Sequence, residues 1–198
     1  MSKGLLLSGG LDSTAIAYWL RPDFAFTVDY GQMGAKGEIH AARQVCKAIG
    51  IEHEVISVDC RPLGSGDLFG KPPALGAPMS EWLPFRNQLL LTLAGMRAIP
   101  KGAQALLFGA VKPDSVHADG TKEFFEAMDK AFALQEGGLR ILAPAIEMTT
   151  AELIRVSNIP LSILGWAHSC DVSASACGRC GSCSKYYGVM KELGVEKD

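Results

Sequence analysis

Residues 8–13, with the sequence Ser-Gly-Gly-Leu-Asp-Ser, constrain the fold of this chain more than any other segment. They follow an apolar run at residues 4–7 and precede a stretch with helical spacing at residues 13–20. A strand, a glycine-rich turn and the start of a helix direct backbone N–H groups toward an anion. We therefore predict a phosphate site here, although a ligand-free glycine-rich turn with a capping residue would explain the same residues.

Asp12 is the acidic residue of this segment. A carboxylate beside a phosphate repels it unless a cation lies between them, so the segment favours bound Mg²⁺. No Gly-Lys-Ser/Thr sequence ends the segment, as a P-loop requires, and the third glycine of the dinucleotide fingerprint is missing. The pattern therefore predicts a phosphate site of another kind.

The composition is that of an ordinary globular protein. The chain has 198 residues, of which 48% are hydrophobic and 20% charged, and we expect one domain over residues 1–198. A net charge of −2 gives no reason to expect a nucleic-acid or membrane partner. No apolar stretch is long enough to span a bilayer and no signal peptide is recognisable, so we expect a cytoplasmic location.

Apolar runs and helical spacing alternate along the chain, which indicates an α/β fold with a doubly wound parallel sheet. Ligands of such sheets bind beyond the carboxyl ends of the strands, at the topological switch point. The Pro- and Gly-rich residues 61–84 predict a long loop. The predicted strands are residues 4–7, 24–29, 53–58, 105–109 and 140–142. The predicted helices are residues 13–20, 36–49, 87–97, 121–135 and 149–156.

Polar residues follow several of the predicted strands or open the helices after them. The Asp29 carboxylate can accept a hydrogen bond from a ribose hydroxyl or an adenine amino group, or it can form an Asx turn with no ligand. Arg86 and Asn87 open a helix and can hold a carboxylate or phosphate, or they are a surface arginine and a capping asparagine. Glu38 at a helix start fits the helix dipole with no function required.

The segment after the strand at residues 105–109 is dense in polar side chains. Two carboxylates and a histidine that bracket apolar residues favour an active-site loop, while a solvated turn would explain only some of them. The candidate residues of this loop are Lys112, Asp114, Ser115, His117 and Asp119.

Four cysteines, Cys170, Cys177, Cys180 and Cys183, lie within fourteen residues. Four thiolates so close together match tetrahedral Zn²⁺ and leave no position for a catalytic water, so we expect a structural zinc knuckle at residues 168–185. An iron–sulfur cluster uses similar ligands and is the alternative. Disulfides are not expected in a reducing cytosol.

Together these motifs resemble those of the 7-cyano-7-deazaguanine synthases, a family of PP-loop ATP pyrophosphatases. The shared segments run in order along nearly the whole chain and include the Ser-Gly-Gly-x-Asp-Ser loop and the Cys-Gly-x-Cys-x-x-Cys motif. Between them lie Val-Asp-Tyr-Gly-Gln at residues 28–32, Arg-Asn at residues 86–87 and Ala-Pro at residues 143–144. The resemblance implies an adenine nucleotide alpha hydrolase-like (HUP-type) fold.

The resemblance also implies an ATP-dependent C–N ligase. Such an enzyme converts 7-carboxy-7-deazaguanine and ammonia to 7-cyano-7-deazaguanine through an adenylate and an amide, and releases AMP and pyrophosphate. It implies Mg²⁺, structural zinc and, in our expectation, a homodimer. The residues expected to bind ATP are Leu7, Ser8, Gly9, Gly10, Leu11, Asp12, Ser13, Thr14, Asp29 and Gln32. The expected catalytic residues are Asp12, Ser13, Arg86, Lys112, His117 and Asp119. The expected substrate-binding residues are Arg86, Asn87, Asp114, Ser115, His117 and Asp119, and the expected metal ligands are the four cysteines.

The chain departs from the family pattern at three places. Phe85 replaces the Gly of Pro-Gly-Arg-Asn, and residues 115–121 keep only the Ser and Asp of the family's loop. Thr150 replaces a lysine in Thr-Lys-x-Glu, a loss for which Lys112 or Lys122 could compensate. The nucleotide chemistry is therefore expected to be intact, while the acceptor pocket is expected to differ.

These departures leave two alternatives beside the nitrile-forming synthase. One is an adenylating ligase that stops at an amide and joins a deazaguanine or another carboxylate to an amine of a small molecule or protein, as divergent members in bacterial anti-phage gene clusters would. The other is a non-catalytic module that binds nucleotide and zinc.

Overall fold

The structure, a computed structural model, describes residues 1–195. Its strands are β1 (Lys3–Leu6), β2 (Phe24–Asp29), β3 (Glu52–Ser57), β4 (Ala105–Leu107) and β5 (Arg140–Leu142). Its helices are α1 (Leu11–Leu20), α2 (Ala35–Ile49), α3 (Arg86–Ala98), α4 (Lys122–Ala133), α5 (Thr150–Ser157), α6 (Leu161–Leu164) and α7 (Gly181–Glu192). No helix within these residues is long and apolar enough to cross a membrane.

The five strands form one sheet in the order β3-β2-β1-β4-β5, and every neighbouring pair is parallel. In the centre, Leu5 of β1 pairs with Ala25 on one side and Leu107 on the other. The chain runs outward from β1 to β3 and then returns to the other side of β1 at β4. The α/β fold with a doubly wound parallel sheet is thus confirmed, and the switch point lies between β1 and β4.

Alternation along β1 sends side chains into two separate cores, because neighbouring residues of a strand point to opposite faces of the sheet. Leu5 packs with Ile16 of α1 and Leu153 of α5 on one face. Leu6 packs with Leu91 of α3 and Phe125 of α4 on the other face. Both faces are therefore covered, as a parallel sheet requires.

Several element boundaries differ from the predicted ones. The first helix begins at Leu11 rather than residue 13, because Gly10 is extended and serves as its N-cap, so Asp12 lies in the first turn. Strand β4 ends at Leu107, two residues early. The helix predicted over residues 121–135 ends earlier, at Ala133, and Leu134 beyond it is 87% exposed.

The helix α5 begins one residue later than predicted, because Thr149 is its N-cap. The Thr149 hydroxyl accepts from the Glu152 N–H at 3.2 Å and the Glu152 carboxylate accepts from the Thr149 N–H at 2.8 Å. This capping box satisfies two backbone donors at the helix start. Thr149 and Glu152 of the family's Thr-Lys-x-Glu pattern thus have a structural role that does not depend on the lysine, which is Thr150 in this chain.

Phe85, the residue before α3, has φ 59° and ψ 20°, in the left-handed region. A side chain in this region meets its own backbone, at a cost of roughly 1–2 kcal/mol, whereas glycine does not. The Phe85 side chain is 76% exposed, so packing returns little of that cost. The backbone at Phe85 is therefore strained, whereas the glycine of the family pattern would adopt this conformation without strain.

We expect Phe85→Gly to raise the free energy of unfolding by roughly 0.5–1 kcal/mol, the strain relief less the extra entropy of an unfolded glycine. The Phe85→Ala variant is the matched control, because it removes the same ring but keeps the Cβ atom. Urea denaturation of both variants measures the difference. Equal stability of the two variants would show that the backbone at residue 85 is not strained.

Candidate active site

A cavity of about 500 Å³ opens at the switch point, beyond the carboxyl ends of β1 and β4. This volume is typical of small-molecule sites. The two loops that form it lie close together, since a Cβ atom on Gly109 would be 3.1 Å from the Cα atom of Ser13. Ten of the residues predicted from the sequence line the cavity: Leu7, Ser8, Gly10, Leu11, Asp12, Ser13, Arg86, Asn87, Asp114 and His117.

The loop between β1 and α1 is held by its own hydroxyl groups. The Ser8 and Ser13 Oγ atoms are 3.1 Å apart, and the Ser13 hydroxyl also donates to the Gly10 carbonyl at 3.2 Å. Gly9 has φ 79°, and a Cβ atom there would lie 2.7 Å from the Glu38 carbonyl oxygen. The loop thus rests directly on α2, with the N-terminus of α1 facing the cavity, where it favours an anion.

One half of the cavity carries two carboxylates and one ammonium group. Lys185 Nζ of α7 lies 3.3 Å from Asp12 Oδ2 and 3.3 Å from Asp114 Oδ1. Burial raises the pKa of Asp12, and the ammonium of Lys185 opposes that rise. Asp12 Oδ1 is buried, and the Thr150 side chain also opposes the rise of the Asp12 pKa. A buried carboxylate with a second carboxylate nearby fits a hard cation such as Mg²⁺. We call this half of the cavity, lined by Asp12, Asp114 and Lys185, the acidic half.

The other half, the Glu38 half, contains Tyr30, Glu38 and Arg86. Gln32 places Glu38, because its side-chain N–H donates to the Glu38 carboxylate at 2.8 Å and its Oε1 accepts from the Tyr30 N–H at 2.9 Å. Burial raises the pKa of Glu38 from 4.5 to about 7, and the Gln32 amide and the Arg86 guanidinium oppose the rise. Burial also raises the pKa of Tyr30, again opposed by Arg86. A carboxyl group that titrates near neutral pH in a cavity is a mark of functional sites.

The start of α3 is fixed by the loop that follows β4. The Asp119 carboxylate accepts from the Asn87 N–H at 3.2 Å, and the Asn87 side-chain amide donates to the Asp119 carbonyl at 2.8 Å. Arg86, the first residue of α3, is thereby held at the cavity wall. His117, also on this loop, lies 4.0 Å from Glu81.

Seven predicted site residues lie outside the cavity lining: Gly9, Thr14, Asp29, Gln32, Lys112, Ser115 and Asp119. Asp29 accepts from the Gly31 N–H at 3.0 Å, the Asx turn that the sequence left open, and borders a separate shallow pocket. Lys112 is exposed, and the Ser115 hydroxyl donates to the Lys112 carbonyl. Lys122 pairs with Glu147 at 3.0 Å on the surface. Lys112 and Lys122, which could have compensated for the lysine replaced by Thr150, therefore do not line the cavity.

The sequence analysis missed several cavity residues. Glu38 follows Asp29-Tyr30-Gly31-Gln32 closely enough to have been suspected, but its helix-start position had a simpler explanation. Lys185 and Tyr186 lie far along the chain on α7, and no motif marks them. The polar lining residues that were not among the predicted ones include Tyr30, Glu38, His168, Asp171, Lys185 and Tyr186.

The four cysteines converge, with all four sulfur atoms within 4.8 Å of one another. Cys177 Sγ and Cys183 Sγ are 3.9 Å apart. Sulfurs on a tetrahedral zinc, with bonds of about 2.3 Å, are separated by about 3.8 Å, so the cluster fits zinc. The N–H groups of Arg179 and Cys180 donate to Cys177 Sγ and lower the pKa of Cys177 to about 6, which favours the thiolate that a metal binds.

The cysteine segment, residues 168–185, lies against α2 and against the loop between β1 and α1, which is predicted to bind phosphate and is called the phosphate loop. The His168 N–H donates to the Gly9 carbonyl at 2.8 Å. A Cβ atom on Gly37 would lie 2.5 Å from His168 Nε2, and one on Gly34 would lie 2.6 Å from the Cys170 carbonyl. His168 bonds to the Ser173 carbonyl, between Cys170 and Cys177, through Nε2 and also lines the cavity, so it connects the cysteine segment to the cavity wall.

The family model described as "Queuosine biosynthesis protein QueC" matches residues 4–192. The chain belongs to the QueC family. The match spans the phosphate loop, the cavity and the four cysteines, so the family resemblance of the motifs is confirmed.

Curated relatives match the QueC-family chain over nearly its whole length. The 7-cyano-7-deazaguanine synthase of Methanosarcina barkeri is 31% identical over 96% of this chain and 94% of the relative. That of Ralstonia pickettii is 34% identical over 96% and 94%, and that of Caldicellulosiruptor bescii 30% identical over 99% and 95%. Among solved structures, a ketone-specific alcohol dehydrogenase from Comamonas testosteroni matches at 10% identity with a TM-score of 0.41, which is too low to support an argument.

We expect Cys180→Ala to lower metal content and stability together, because a structural metal site contributes its binding energy to folding. The loss of unfolding free energy should be at least about 3 kcal/mol. Elemental analysis and thermal unfolding measure the two effects. Cys60→Ala, at a buried cysteine of the core away from the cluster, is the control and should keep its metal. Full stability after complete metal loss would show that the cysteine cluster does not support the fold.

Glu38 should make the ligand-free protein less stable as pH rises. Its folded-state pKa of about 7 lies above the ordinary 4.5, so between these values the folded chain holds a proton that the unfolded chain has lost. Its contribution to stability is therefore complete below about pH 4.5 and is lost as pH rises through about 7. The total is roughly 3 kcal/mol at 1.36 kcal/mol per pKa unit.

Urea denaturation from pH 4.5 to 8 tests this expectation in Glu38→Gln, which should lose that part of the pH dependence and gain stability at pH 8. The exposed Glu136→Gln is the matched control and should follow the wild-type curve. Identical pH profiles for wild type and Glu38→Gln would disprove the raised pKa.

Proposed function

We propose that this chain is an ATP-dependent 7-cyano-7-deazaguanine synthase. It converts 7-carboxy-7-deazaguanine and ammonia to the nitrile, with AMP and pyrophosphate as the other products. Family membership and the relatives of that name support the proposal. The observation that carries it is the cavity itself, where the phosphate loop and α1 face one half and Arg86, Glu38 and Tyr30 occupy the other.

In this proposal the acidic half of the cavity receives the phosphates of ATP. The hydroxyls of Ser8 and Ser13 and the first N–H groups of α1 donate to phosphate oxygens. Asp12 and Asp114 would hold Mg²⁺, which when bound screens the carboxylates from the phosphates and withdraws charge from them. The chain's own contribution is mainly positioning and charge stabilisation, since phosphoryl-type transfer asks little covalent chemistry of a protein.

The Glu38 half receives the deazaguanine carboxylate. The Arg86 guanidinium matches a carboxylate in shape and charge and holds it toward the phosphates. The Glu38 carboxyl oxygens can accept from ring and amino N–H groups of the heterocycle. Asn87 and Asp119 act one step away, because they fix the start of α3 that carries Arg86. His117 lines the cavity and is our candidate for proton relay.

The chemistry balances in four steps. A substrate carboxylate oxygen attacks the α-phosphorus of ATP, and the bond to pyrophosphate breaks. Ammonia then attacks the acyl carbon, loses a proton and expels AMP, which leaves the amide. The amide oxygen attacks a second ATP in the same way, and the bond to pyrophosphate breaks. Loss of both protons from the amide nitrogen and cleavage of the C–O bond to AMP then give the nitrile.

The proposal also includes three predictions made from the sequence. These are a single PP-loop domain with a zinc-binding segment at residues 168–185, a cytoplasmic location and a homodimer. No specific feature of the site favours the amide-forming alternative, with a protein acceptor or a role in anti-phage defence. That alternative is an outcome of the experiment below.

We expect mass spectrometry to detect the nitrile when the protein is incubated with ATP, Mg²⁺, 7-carboxy-7-deazaguanine and ammonium. Asp12→Asn should reduce AMP formation by roughly 100-fold or more, because it removes a charge that the phosphate site requires. The exposed Glu123→Gln on α4 is the control and should match wild type.

Two outcomes would contradict the proposal. Accumulation of the amide without nitrile would support the amide-forming ligase instead. Absence of AMP with a folded, metal-loaded protein would support the non-catalytic module, and wild-type AMP formation by Asp12→Asn would remove the loop from the mechanism.

A further inference from the structure

Lys185 is the cation of the acidic half of the cavity. Among the described residues that line the cavity, Arg86 and Lys185 are the arginine and lysine side chains. Arg86 belongs to the Glu38 half, where it acts on the pKa of Tyr30 and Glu38. Lys185 instead lies 3.3 Å from both Asp12 and Asp114. The Glu38 half thus contains the Arg86 guanidinium, and the acidic half contains the Lys185 ammonium.

The position of Lys185 connects the two loops at the switch point. Asp12 follows β1 and Asp114 follows β4, while Lys185 reaches both of them from α7 at the far end of the chain. An ammonium has three N–H donors, and these two contacts use two of them. Its side chain is 41% exposed, so the group remains accessible to a ligand in the cavity.

The charges of this half oppose a polyanion as they stand. Two carboxylates and one ammonium sum to one negative charge beside the N-terminus of α1, where a phosphate would bind. Lys112 is exposed outside the cavity and Lys122 pairs with Glu147 on the surface, so neither offsets it. Mg²⁺ held by the two carboxylates, as in the proposed function, would screen them and leave the Lys185 ammonium free to turn to the oxygens of a triphosphate.

We propose that Lys185 is a phosphate-binding residue of the active site, which contacts the β-phosphate of ATP and the pyrophosphate that leaves. Charge on the bridging oxygen grows as the bond to the α-phosphorus breaks, and an ammonium that has turned toward this oxygen stabilises the charge. This proposal rests on the ATP use of the proposed function and adds a residue that no loop motif contains.

The cysteine segment places this residue. Cys180 is the N-cap of α7, and its sulfur accepts from the Cys183 N–H at 3.4 Å. Lys185 follows Cys183 by two residues on the same helix. The register of the helix on the cysteine cluster thus fixes where the ammonium points. The cluster would then serve phosphate binding as well as stability.

The test measures pyrophosphate binding by calorimetry in Mg²⁺ buffer, with wild type, Lys185→Met, Lys185→Arg and Lys191→Met. Lys191 is an exposed lysine on the same helix and is the matched control. Lys185→Met should bind pyrophosphate roughly 10–100-fold more weakly, the loss expected for one charge-assisted hydrogen bond. AMP binding should change by less than about 3-fold, because AMP lacks the β-phosphate.

Lys185→Arg should recover most of the pyrophosphate affinity, and Lys191→Met should match wild type. If Lys185→Met loses stability but keeps wild-type pyrophosphate affinity, Lys185 only ties the two loops together and the proposal is wrong. If Lys185→Met does not fold, Lys185→Gln takes its place with the same expected loss.

The calorimetric measurement of pyrophosphate binding requires no deazaguanine substrate, so it is independent of the proposed reaction. A lysine-dependent pyrophosphate site in a protein that forms no nitrile would therefore uphold Lys185 and overturn only the proposed substrate. No pyrophosphate binding by the wild-type protein would overturn the Lys185 proposal directly.

Discussion

The parallel pairing of β1 with β4 is the constraint on which the rest of the site depends. The chain leaves β1 toward one side of the sheet and leaves β4 toward the other, so their following loops diverge and a crevice opens between them. The loop after β1 supplies the hydroxyls and N–H groups, and the loop after β4 supplies Asp114 and His117. Neither loop forms a site alone. The close approach of Gly109 to Ser13 sets the distance between them.

The electrostatics of the cavity follow from which elements reach it. The Glu38 half is built by α2 and α3, and burial there favours a neutral carboxyl group. The acidic half is built by α1, the β4 loop and α7, and there carboxylates meet an ammonium. The cavity of about 500 Å³ thus offers two different surroundings. Under the proposed function, this division would orient a substrate carboxylate and a triphosphate toward each other.

Local patterns in the sequence were sufficient for the fold, and they pointed to ten of the residues that line the cavity. The alternation of apolar runs with helical spacing predicted the parallel sheet, because burial on both faces requires continuous apolar strands. The glycine-rich segment predicted the turn between β1 and α1, and the cysteine spacing predicted the cluster, because both depend on neighbours along the chain. Glu38 and Lys185 could not be found in this way. The partners of Lys185, Asp114 and Asp12, lie 71 and 173 positions away along the chain. A single charged residue on a helix has no local signature.

The glycines of α2 have a consequence for how a ligand reaches the cavity. At Gly34 and Gly37 the helix touches the cysteine segment, and at Gly9 the phosphate loop touches the helix, with less than 3 Å left for a Cβ atom at each. Elements in such close contact move as one rigid body, since sliding would bring backbone atoms into collision. That side of the cavity is therefore a fixed wall. Under the proposed function, three substrates would enter and three kinds of product would leave by the opposite side, where the long segment before α3 contributes Met79 and Glu81 to the cavity lining.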